Sequence, residues 1–301
     1  VELGDGKIVS AEELYEYARP GERLVAVDGA RGENSNPATS LDRQLLSTTP
    51  LVGVIKQPEQ LLLLIETLGG VLKCTPGHHL LSREHWGQAV WRCASDLKIG
   101  DWLYMPIEHD LPAMQLPRTR DFIPSGAVGK GNGLYRIGRG GYTDSVQWFP
   151  EYVSEEMGEI LGYLDSDGSY SSKGGRISFG NTSTVLLDRF EALMHICFKE
   201  TPKRIDGPEP GSPTPDGYVS KKQMYYSYVS SKLLVQFLIN LRLSLLRFDL
   251  NRLLPAYLRA FVNGDGYVDA NNERICVTQS DPSQQRLLQM MLLRLGIPAR
   301  F

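Results

Sequence analysis

Two acidic residues that each end an apolar segment are the groups in this sequence best suited to hold a catalytic cation. Asp167 closes ILGYLDSDG (Ile160–Gly168), and Asp265 closes LRAFVNGDG (Leu258–Gly266). If each segment is a helix, its aspartate lies in the last turn, where the negative helix dipole disfavours a carboxylate unless a cation joins it. Two such ends side by side would form a two-carboxylate site for a hard cation such as Mg²⁺. The sequence therefore predicts an enzyme.

The same two segments predict how their helices meet. Each carries a small residue, Gly162 in the first and Ala260 in the second, so the two helices could approach backbone to backbone. Gly168 and Gly266 follow the aspartates, where glycine can take the left-handed cap conformation without steric cost. We expect Gly162 and Ala260 at a helix interface and both following glycines as helix caps.

Two other interpretations of these segments compete with a catalytic pair. Asp165-x-Asp167-Gly and Asn263-x-Asp265-Gly look like calcium loops, but an EF-hand has glycine at its sixth loop position and glutamate at its twelfth. Here the glycines come too early, which excludes that motif. The simpler alternative, two helix ends with solvated aspartates, stays open.

Both nine-residue segments resemble the motif of LAGLIDADG homing endonucleases, and single-chain members of that family have two copies. The resemblance implies motif helices packed at a pseudo-twofold axis in a monomer that binds double-stranded DNA. It also implies a Mg²⁺ site at Asp167-Gly168 and Asp265-Gly266 that cuts both strands. The segment RLLP before the second motif resembles the family's Lys-x-Ile-Pro, with Arg252 in place of lysine. Candidate DNA contacts are the polar and basic residues Lys173, Arg176, Ser178, Lys221, Lys222, Arg252, Arg274 and Thr278.

The first 110 residues resemble the Hint domain of inteins. A strand is followed by Thr75-x-x-His78, and a Trp-x-x-Ala-x-x-Leu-x-x-Gly-Asp pattern runs from Trp91 to Asp101. The resemblance implies that Thr75 orients, and His78 protonates, the amide at an upstream splice junction, with the exteins as partners in cis. Histidine suits proton transfer near neutral pH. His79 is the adjacent competitor, although on a strand it should face the other way, and a purely structural histidine is the alternative.

The predicted fold is multidomain. An all-β Hint-type domain spans 1–110, a linker or DNA-contacting segment spans 111–150, and an α+β endonuclease domain spans 151–301. The endonuclease domain comprises two pseudo-symmetric αββαββα-like repeats, 151–250 and 251–301, the second of them incomplete. We also expect the chain to lack the first splicing nucleophile and the closing His-Asn segment of an intein. Its predicted elements include strands at Ser169–Ser172, Arg176–Asn181, Tyr218–Val229 and Arg274–Gln279, and helices at Thr184–Phe198, Ser231–Leu243 and Asp281–Leu295.

Composition narrows the function classes. The formal net charge of −3 is unevenly distributed, because the first 116 residues carry 10 basic and 16 acidic residues and the rest is mildly basic. Four widely spaced cysteines suggest neither a disulfide framework nor a zinc ribbon, and no apolar run is long enough for a membrane span. A cytoplasmic protein is expected. Two rival functions stay open: a DNA-binding regulator that does not cleave, and a self-processing Hint protein with an inactive insert.

Overall fold

The protein divides into two compact units, residues 1–113 with 281–301 and residues 114–280. The computed structural model describes residues 23–27, 46–50, 61–67, 70–83, 89–104, 116–137, 145–212, 219, 221–297 and 299. None of the helices in these ranges has the length and apolarity that crossing a bilayer requires. The four cysteines are free thiols, as expected.

The described part of the first unit consists mainly of short antiparallel strands within residues 23–103, together with a helix at Pro282–Arg294 that follows the second motif in the sequence. Strands β1 (Arg23–Val27) and β2 (Leu46–Pro50) pair with each other. Strand β3 (Leu63–Thr67) pairs with β4 (Gly70–Cys74), from Leu63 opposite Cys74 to Thr67 opposite Gly70. A three-stranded sheet has the order β6-β5-β7, from His79–Arg83 (β5), Ala89–Cys93 (β6) and Trp102–Leu103 (β7). Strand β2 lies in the polar segment 29–50, whose composition predicts a loop. The strand was missed because LSTTP has little apolar signal, although its threonines are β-branched and suit a strand. The strand predicted at 51–56 lies outside the described residues.

Residues 111–150, predicted as a linker, instead contain a small folded sheet. Strands β8 (Val128–Gly131), β9 (Leu134–Ile137) and β10 (Ser145–Trp148) pair antiparallel in the order β10-β9-β8. Phe149 anchors this sheet, with its ring centroid 4.7 Å from that of Phe237 and 6.0 Å from that of Phe198, both on later helices. The glycine and arginine content concealed these short strands, whose apolar residues alternate too briefly to produce a periodic signal.

The second unit is α+β, and its first repeat follows the predicted element order. Helix α1 (Glu155–Ser166) leads into β11 (Gly168–Ser171) and β12 (Arg176–Asn181), followed by α2 (Thr184–Phe198), β13 (Lys203–Asp206), β14 (Tyr225–Ser230) and α3 (Lys232–Leu243). The four strands form one antiparallel sheet in the order β11-β12-β14-β13. Ser231 caps α3, its hydroxyl accepting a hydrogen bond from the Leu234 amide at 3.3 Å.

The second motif begins an equivalent series of elements. A 3₁₀ turn at Phe248–Leu253 precedes helix α4 (Leu254–Asp265), whose first turn contains Pro255. Strands β15 (Gly266–Asp269) and β16 (Arg274–Val277) pair antiparallel, and helix α5 (Pro282–Arg294) follows with Asp281 as its cap. On α5, Leu288 and Met291 are buried while Leu295 beyond it is exposed. The further strand predicted near Pro298 lies outside the described residues.

The predicted strand at Tyr218–Val229 is shorter and later than expected, because β14 begins at Tyr225. Lys221 and Lys222 therefore precede the strand, in a bend. The position of the edge strand β13 was not predicted, because the strand lies in a segment rich in proline and glycine and all four of its residues are exposed.

The core of the second unit is the direct contact between α1 and α4. A Cβ atom at Gly162 would collide with the carbonyl oxygen of Tyr257 and lie 2.8 Å from the Cβ of Ala260. One turn earlier, a Cβ at Gly158 would lie 2.6 Å from the carbonyl oxygen of Leu253. Gly162 thus faces Ala260 across the contact, and Gly158 extends the contact to a Gly-x-x-x-Gly pattern that permits close backbone approach.

The expectation of left-handed caps at Gly168 and Gly266 is wrong. Neither has a positive φ, and Gly266 is extended with φ −94° and ψ 158°. Both are required for space, since a Cβ at Gly168 would lie 2.5 Å from Leu164 Cα and one at Gly266 would lie 2.7 Å from Val262 Cγ1. In each motif the backbone turns from helix directly into strand, and the turn packs against the last turn of that same helix.

The close contact makes a mutational prediction. Gly162→Ala should lower the free energy of unfolding by about 1–3 kcal/mol, because the new methyl group overpacks a backbone contact that cannot yield. Gly126→Ala is the matched control, since no described atom lies within 4 Å of a Cβ there. Urea unfolding measures both, and equal stability of Gly162→Ala and wild type would contradict the interface.

Candidate functional site

The two predicted acids lie where the packed helices α1 and α4 end. Asp167 is the C-terminal cap of α1, and Asp265 is the last residue of α4. Gly264 shows how closely these ends meet, because a Cβ atom there would collide with Ser166 and lie 3.1 Å from Asp167 Oδ2. The backbone contact between Gly264 and the segment Ser166–Asp167 therefore brings the two acid-bearing helix ends together, as the sequence predicts.

Asp167 is held by a hydrogen bond that the sequence did not reveal. Asn181, at the end of β12, donates from Nδ2 to Asp167 Oδ2 at 2.7 Å. The Asn181 Oδ1 atom accepts from the Ser183 amide at 2.8 Å, which fixes the orientation of the Asn181 side chain. Burial raises the pKa of Asp167, and the Asn181 hydrogen bond opposes that rise.

Asp265 is the more perturbed acid. Burial, and secondarily the negative charge of Asp167, raises its pKa to about 6. A carboxyl whose ionised form is disfavoured by burial and by a neighbouring carboxylate is stabilised by any cation that sits between the two. The close approach of Gly264 to Asp167, together with this smaller electrostatic effect, indicates that the two acids share one site.

The backbone around the two acids is equivalent in the two repeats. The Gly180 amide donates to the Asp167 carbonyl at 3.1 Å, and the Thr278 amide donates to the Asp265 carbonyl at 3.5 Å. Gly168 pairs with Phe179 and Gly266 with Val277 in the adjoining strands. Both acids are therefore positioned by the same local fold, a helix end bonded to the end of the second strand of the following hairpin.

The residues present fit a divalent cation with few protein ligands. Within the described part of the chain, no group of three or more His, Cys, Asp or Glu side chains could hold a metal. Mg²⁺ is commonly bound by one or two carboxylates together with water and substrate phosphates. Asp167 and Asp265 match that requirement, with Gly168 and Gly266 next to them in the chain.

Asp165, which gave the first motif its calcium-like appearance, is committed elsewhere. Its carboxylate accepts two bonds from Arg242 Nε, at 2.6 and 2.7 Å, and one from the Tyr257 hydroxyl at 2.7 Å. The acid side chain is 2% exposed. Asp165 therefore lies in a structural ion pair that sequence reasoning missed, since nothing in the chain marks Arg242 as its partner.

The candidate DNA contacts occupy varied positions. Arg176 and Ser178 lie on β12, where Arg176 stacks 4.5 Å above the ring centroid of Tyr228 and the hydroxyls of Ser178 and Ser169 lie 2.8 Å apart. Arg252 bonds Glu155 at 2.8 Å. The remaining candidates lie in the β11–β12 turn (Lys173), before β14 (Lys221, Lys222), on β16 (Arg274) and after β16 (Thr278).

The candidate splicing residues form a tight turn in the first unit. The His78 amide donates to the Thr75 carbonyl at 3.0 Å, so Thr75 and His78 are the first and last residues of a four-residue turn before β5. His79 begins β5, and its Nε2 lies 3.7 Å from Cys93 Sγ. The histidines thus have different surroundings, and His79 is the one that contacts a neighbouring strand.

Comparison with known sequences finds a family match in the second repeat. Residues 252–301, from the start of the second motif region onward, match the LAGLIDADG-like domain. The replication factor C small subunit of Methanocaldococcus jannaschii is 27% identical over 257 residues, covering 82% of this chain and 11% of that protein. An A-type ATP synthase subunit of Methanopyrus kandleri is 26% identical over 146 residues, 48% of this chain and 13% of that protein. The chain thus spans about a tenth of the length of the curated relatives it matches.

Solved structures of the homing endonuclease I-DmoI are also similar in part. Its mesophilic variants align with 47% of this chain and 77% of theirs, at a TM-score of 0.35 and 18% identity. The complex of I-DmoI with DNA and Ca aligns with 47% of this chain and 72% of its own, at a TM-score of 0.34 and 17% identity.

The raised pKa of Asp265 makes a prediction about stability. A carboxyl that is protonated more readily in the folded than in the unfolded state stabilises the fold at low pH and loses that contribution as the pH rises from about 4 to about 6. Without divalent cations at pH 7.5, Asp265→Asn should therefore be more stable than wild type, by about 1 kcal/mol once solvent screening of this half-buried group is taken into account. The difference should vanish near pH 4, as measured by urea unfolding across that range. A variant less stable than wild type at pH 7.5 would contradict the coupled pair.

Proposed function

We propose that the second unit is a site-specific endonuclease that hydrolyses both strands of double-stranded DNA with the help of Mg²⁺. The observation that carries this proposal is the coupled pair of acids at the adjoining ends of α1 and α4. The family match over residues 252–301 supports the same conclusion for the second motif.

In this proposal the cation would be held by Asp167 and Asp265, with Gly168 and Gly266 completing the protein side of the site. When bound, it supplies Lewis acidity toward a scissile phosphate and lowers the pKa of a bound water. The protein's own contribution is positional. Asn181 orients the Asp167 carboxylate through its 2.7 Å bond, and the two neighbouring negative charges favour binding of a cation.

We further propose that the β11-β12-β14-β13 sheet contacts the DNA in the major groove, where all four base pairs can be distinguished. Arg176 and Ser178 on β12 are the candidates that this sheet presents, with Lys173 in its adjoining turn. In the second repeat Arg274 occupies the place of Arg176, and Thr278 occupies the place of Gly180. The bond of Arg252 to Glu155 makes a structural role for Arg252 the better hypothesis.

The rival function, a DNA-binding regulator that does not cleave, would have no need of the acids. Two half-buried carboxylates beside one another raise the free energy of the folded state unless a cation joins them. A regulator could replace either by an amide and gain stability. The presence of both Asp167 and Asp265 therefore favours the nuclease.

For the first unit we propose a Hint-type splicing domain, which would make the whole chain part of an intein. The two curated relatives have unrelated names, and each match covers about a tenth of the relative's length. A shared segment inside otherwise different proteins is what a self-excising insert would produce. In this proposal His78 protonates the junction amide and Thr75 orients it, and a monomeric chain acts on exteins in cis.

Cleavage provides the direct test of the nuclease. Asp167→Asn and Asp265→Asn should each abolish double-strand cleavage, a loss of at least about 10³-fold, because each removes a ligand that stabilises transition-state charge. DNA binding should be retained, since less negative charge faces the phosphates. The purified protein is incubated with Mg²⁺ and a randomised duplex library, and the cut ends are sequenced.

The control for this experiment is Asp121→Asn, which changes an exposed aspartate outside the sheet proposed to contact DNA and should cleave like wild type. Wild-type protein that binds duplex but never cuts would instead support the regulator. Full cleavage by either motif variant would exclude the metal assignment.

The splicing proposal is tested in the natural reading frame around this chain, with a purification tag on each flanking sequence. His78→Ala should stop release of the upstream tag, because the leaving amide then lacks its proton donor. His79→Ala is the matched control and should leave release unchanged. Electrophoresis of the products measures both, and equal release by His78→Ala and wild type would contradict the assignment.

A further inference from the structure

We propose that Asp165 is a positioning residue for the cation site, which it serves by locking the end of α1 to α4 and α3 through Arg242, Tyr257 and Tyr170. This inference rests on the proposed metal-dependent function. It assigns a role to the first acid of the first motif, which holds no place in the cation site itself.

The geometry of the lock joins four elements at one carboxylate. Arg242 comes from the end of α3, Tyr257 from α4 and Tyr170 from β11. The Tyr170 hydroxyl donates to Asp165 Oδ1 at 3.2 Å. Both Asp165 oxygens are engaged, Oδ1 by Arg242 and Tyr170 and Oδ2 by Arg242 and Tyr257. A carboxylate with this many donors from different elements has no freedom to rotate or shift.

The bond between Tyr257 and Asp165 is the part of the lock that crosses between the motif helices. Asp165 precedes Asp167 by two residues, and Tyr257 precedes Asp265 by eight on the same helix. The bond therefore ties the segment that carries one acid to the helix that carries the other. A second bond runs the same way, from Asn263 on α4 to the hydroxyl of Tyr163 on α1. Together with the glycine contacts, these bonds resist sliding or rotation of α1 along α4.

The consequence for the cation follows from the tolerance of Mg²⁺ and Mn²⁺ sites. Small divalent cations require ligands near ideal octahedral positions, so a shift in the spacing of two carboxylates weakens binding. Catalytic sites generally depend on such supporting interactions to within about 0.5 Å. Loss of the lock should therefore reduce cation affinity even where the fold survives.

The chain offers a matched control in a second buried carboxylate on α1. Glu159 is bonded by Arg189 of α2 at 2.7 and 2.9 Å, and its side chain is 6% exposed. Like Asp165, it also reaches α4, where Arg259 Nη2 lies 3.5 Å from its Oε2 atom, so the two ion pairs are of the same kind and differ in their distance from the acids. Glu159 lies eight residues before Asp167, which is about 12 Å along the helix. Its removal should reduce stability without altering the spacing of the acids.

The test measures binding of Mn²⁺ alone to the purified full chain at pH 7.5 by electron paramagnetic resonance, beside urea unfolding of each variant. Asp165→Asn and Tyr257→Phe should weaken Mn²⁺ binding by about tenfold and about threefold or more, and Tyr170→Phe by less. Glu159→Gln should bind Mn²⁺ as wild type does despite its lower stability. Tyr257→Phe removes a single oxygen atom, so it carries the test if Asp165→Asn does not fold.

The outcomes separate this inference from the proposed function. Asp167→Asn should abolish Mn²⁺ binding, and if it does not, the cation site itself is wrong. If Asp167→Asn abolishes binding while folded Tyr257→Phe and Asp165→Asn bind Mn²⁺ within twofold of wild type, the cation site stands and the lock is refuted. A loss in Glu159→Gln equal to that in Asp165→Asn would also refute it, because any loss of stability would then suffice.

Discussion

The close approach of α1 and α4 is the constraint on which the rest of the second unit depends. Gly162 and Gly158 bring the helices so near that an added Cβ atom would strike backbone atoms of the partner segment. At this distance the ends of the helices must also meet, which brings Asp167 and Asp265 into one electrostatic environment. The positions of the strands that follow are then set as well, because in each motif the backbone passes from helix to strand within one residue.

This arrangement places like charges at the negative ends of two helix dipoles, which opposes folding. The structure offsets that cost with interactions that do not neutralise the acids. Asn181 stabilises Asp167 as a neutral hydrogen-bond donor, and the positive charge of Arg242 is directed to Asp165. An arginine beside Asp167 or Asp265 would stabilise the fold more, but it would fill the position of the cation. Local strain of this kind is common where a binding site takes precedence over stability.

The sequence predicted those features that repeat or alternate along the chain. The two motifs, the helix Thr184–Phe198 and the strand Arg176–Asn181 each carry a local signal, and all were found at their predicted bounds or close to them. The sheet within residues 116–150 carries no such signal, because its packing depends on Phe149 meeting rings that come about fifty and ninety residues later. Partners such as Arg242 and Asn181 were missed for the same reason: only the tertiary fold brings them to Asp165 and Asp167.

The two repeats are alike in the backbone that holds the acids of the proposed cation site, and they differ in the side chains around it. The backbone bonds that hold the acids, from Gly180 to Asp167 and from Thr278 to Asp265, are the same. The supporting side chains differ, since Asn263 occupies the place that Asp165 has in the first motif. A bond made by backbone survives most side-chain substitutions, whereas an ion pair such as Asp165–Arg242 fails when either partner changes. Side chains around each acid can therefore diverge independently while the two acids keep their equivalent positions, and in the proposed endonuclease two such halves would recognise two unlike DNA sequences.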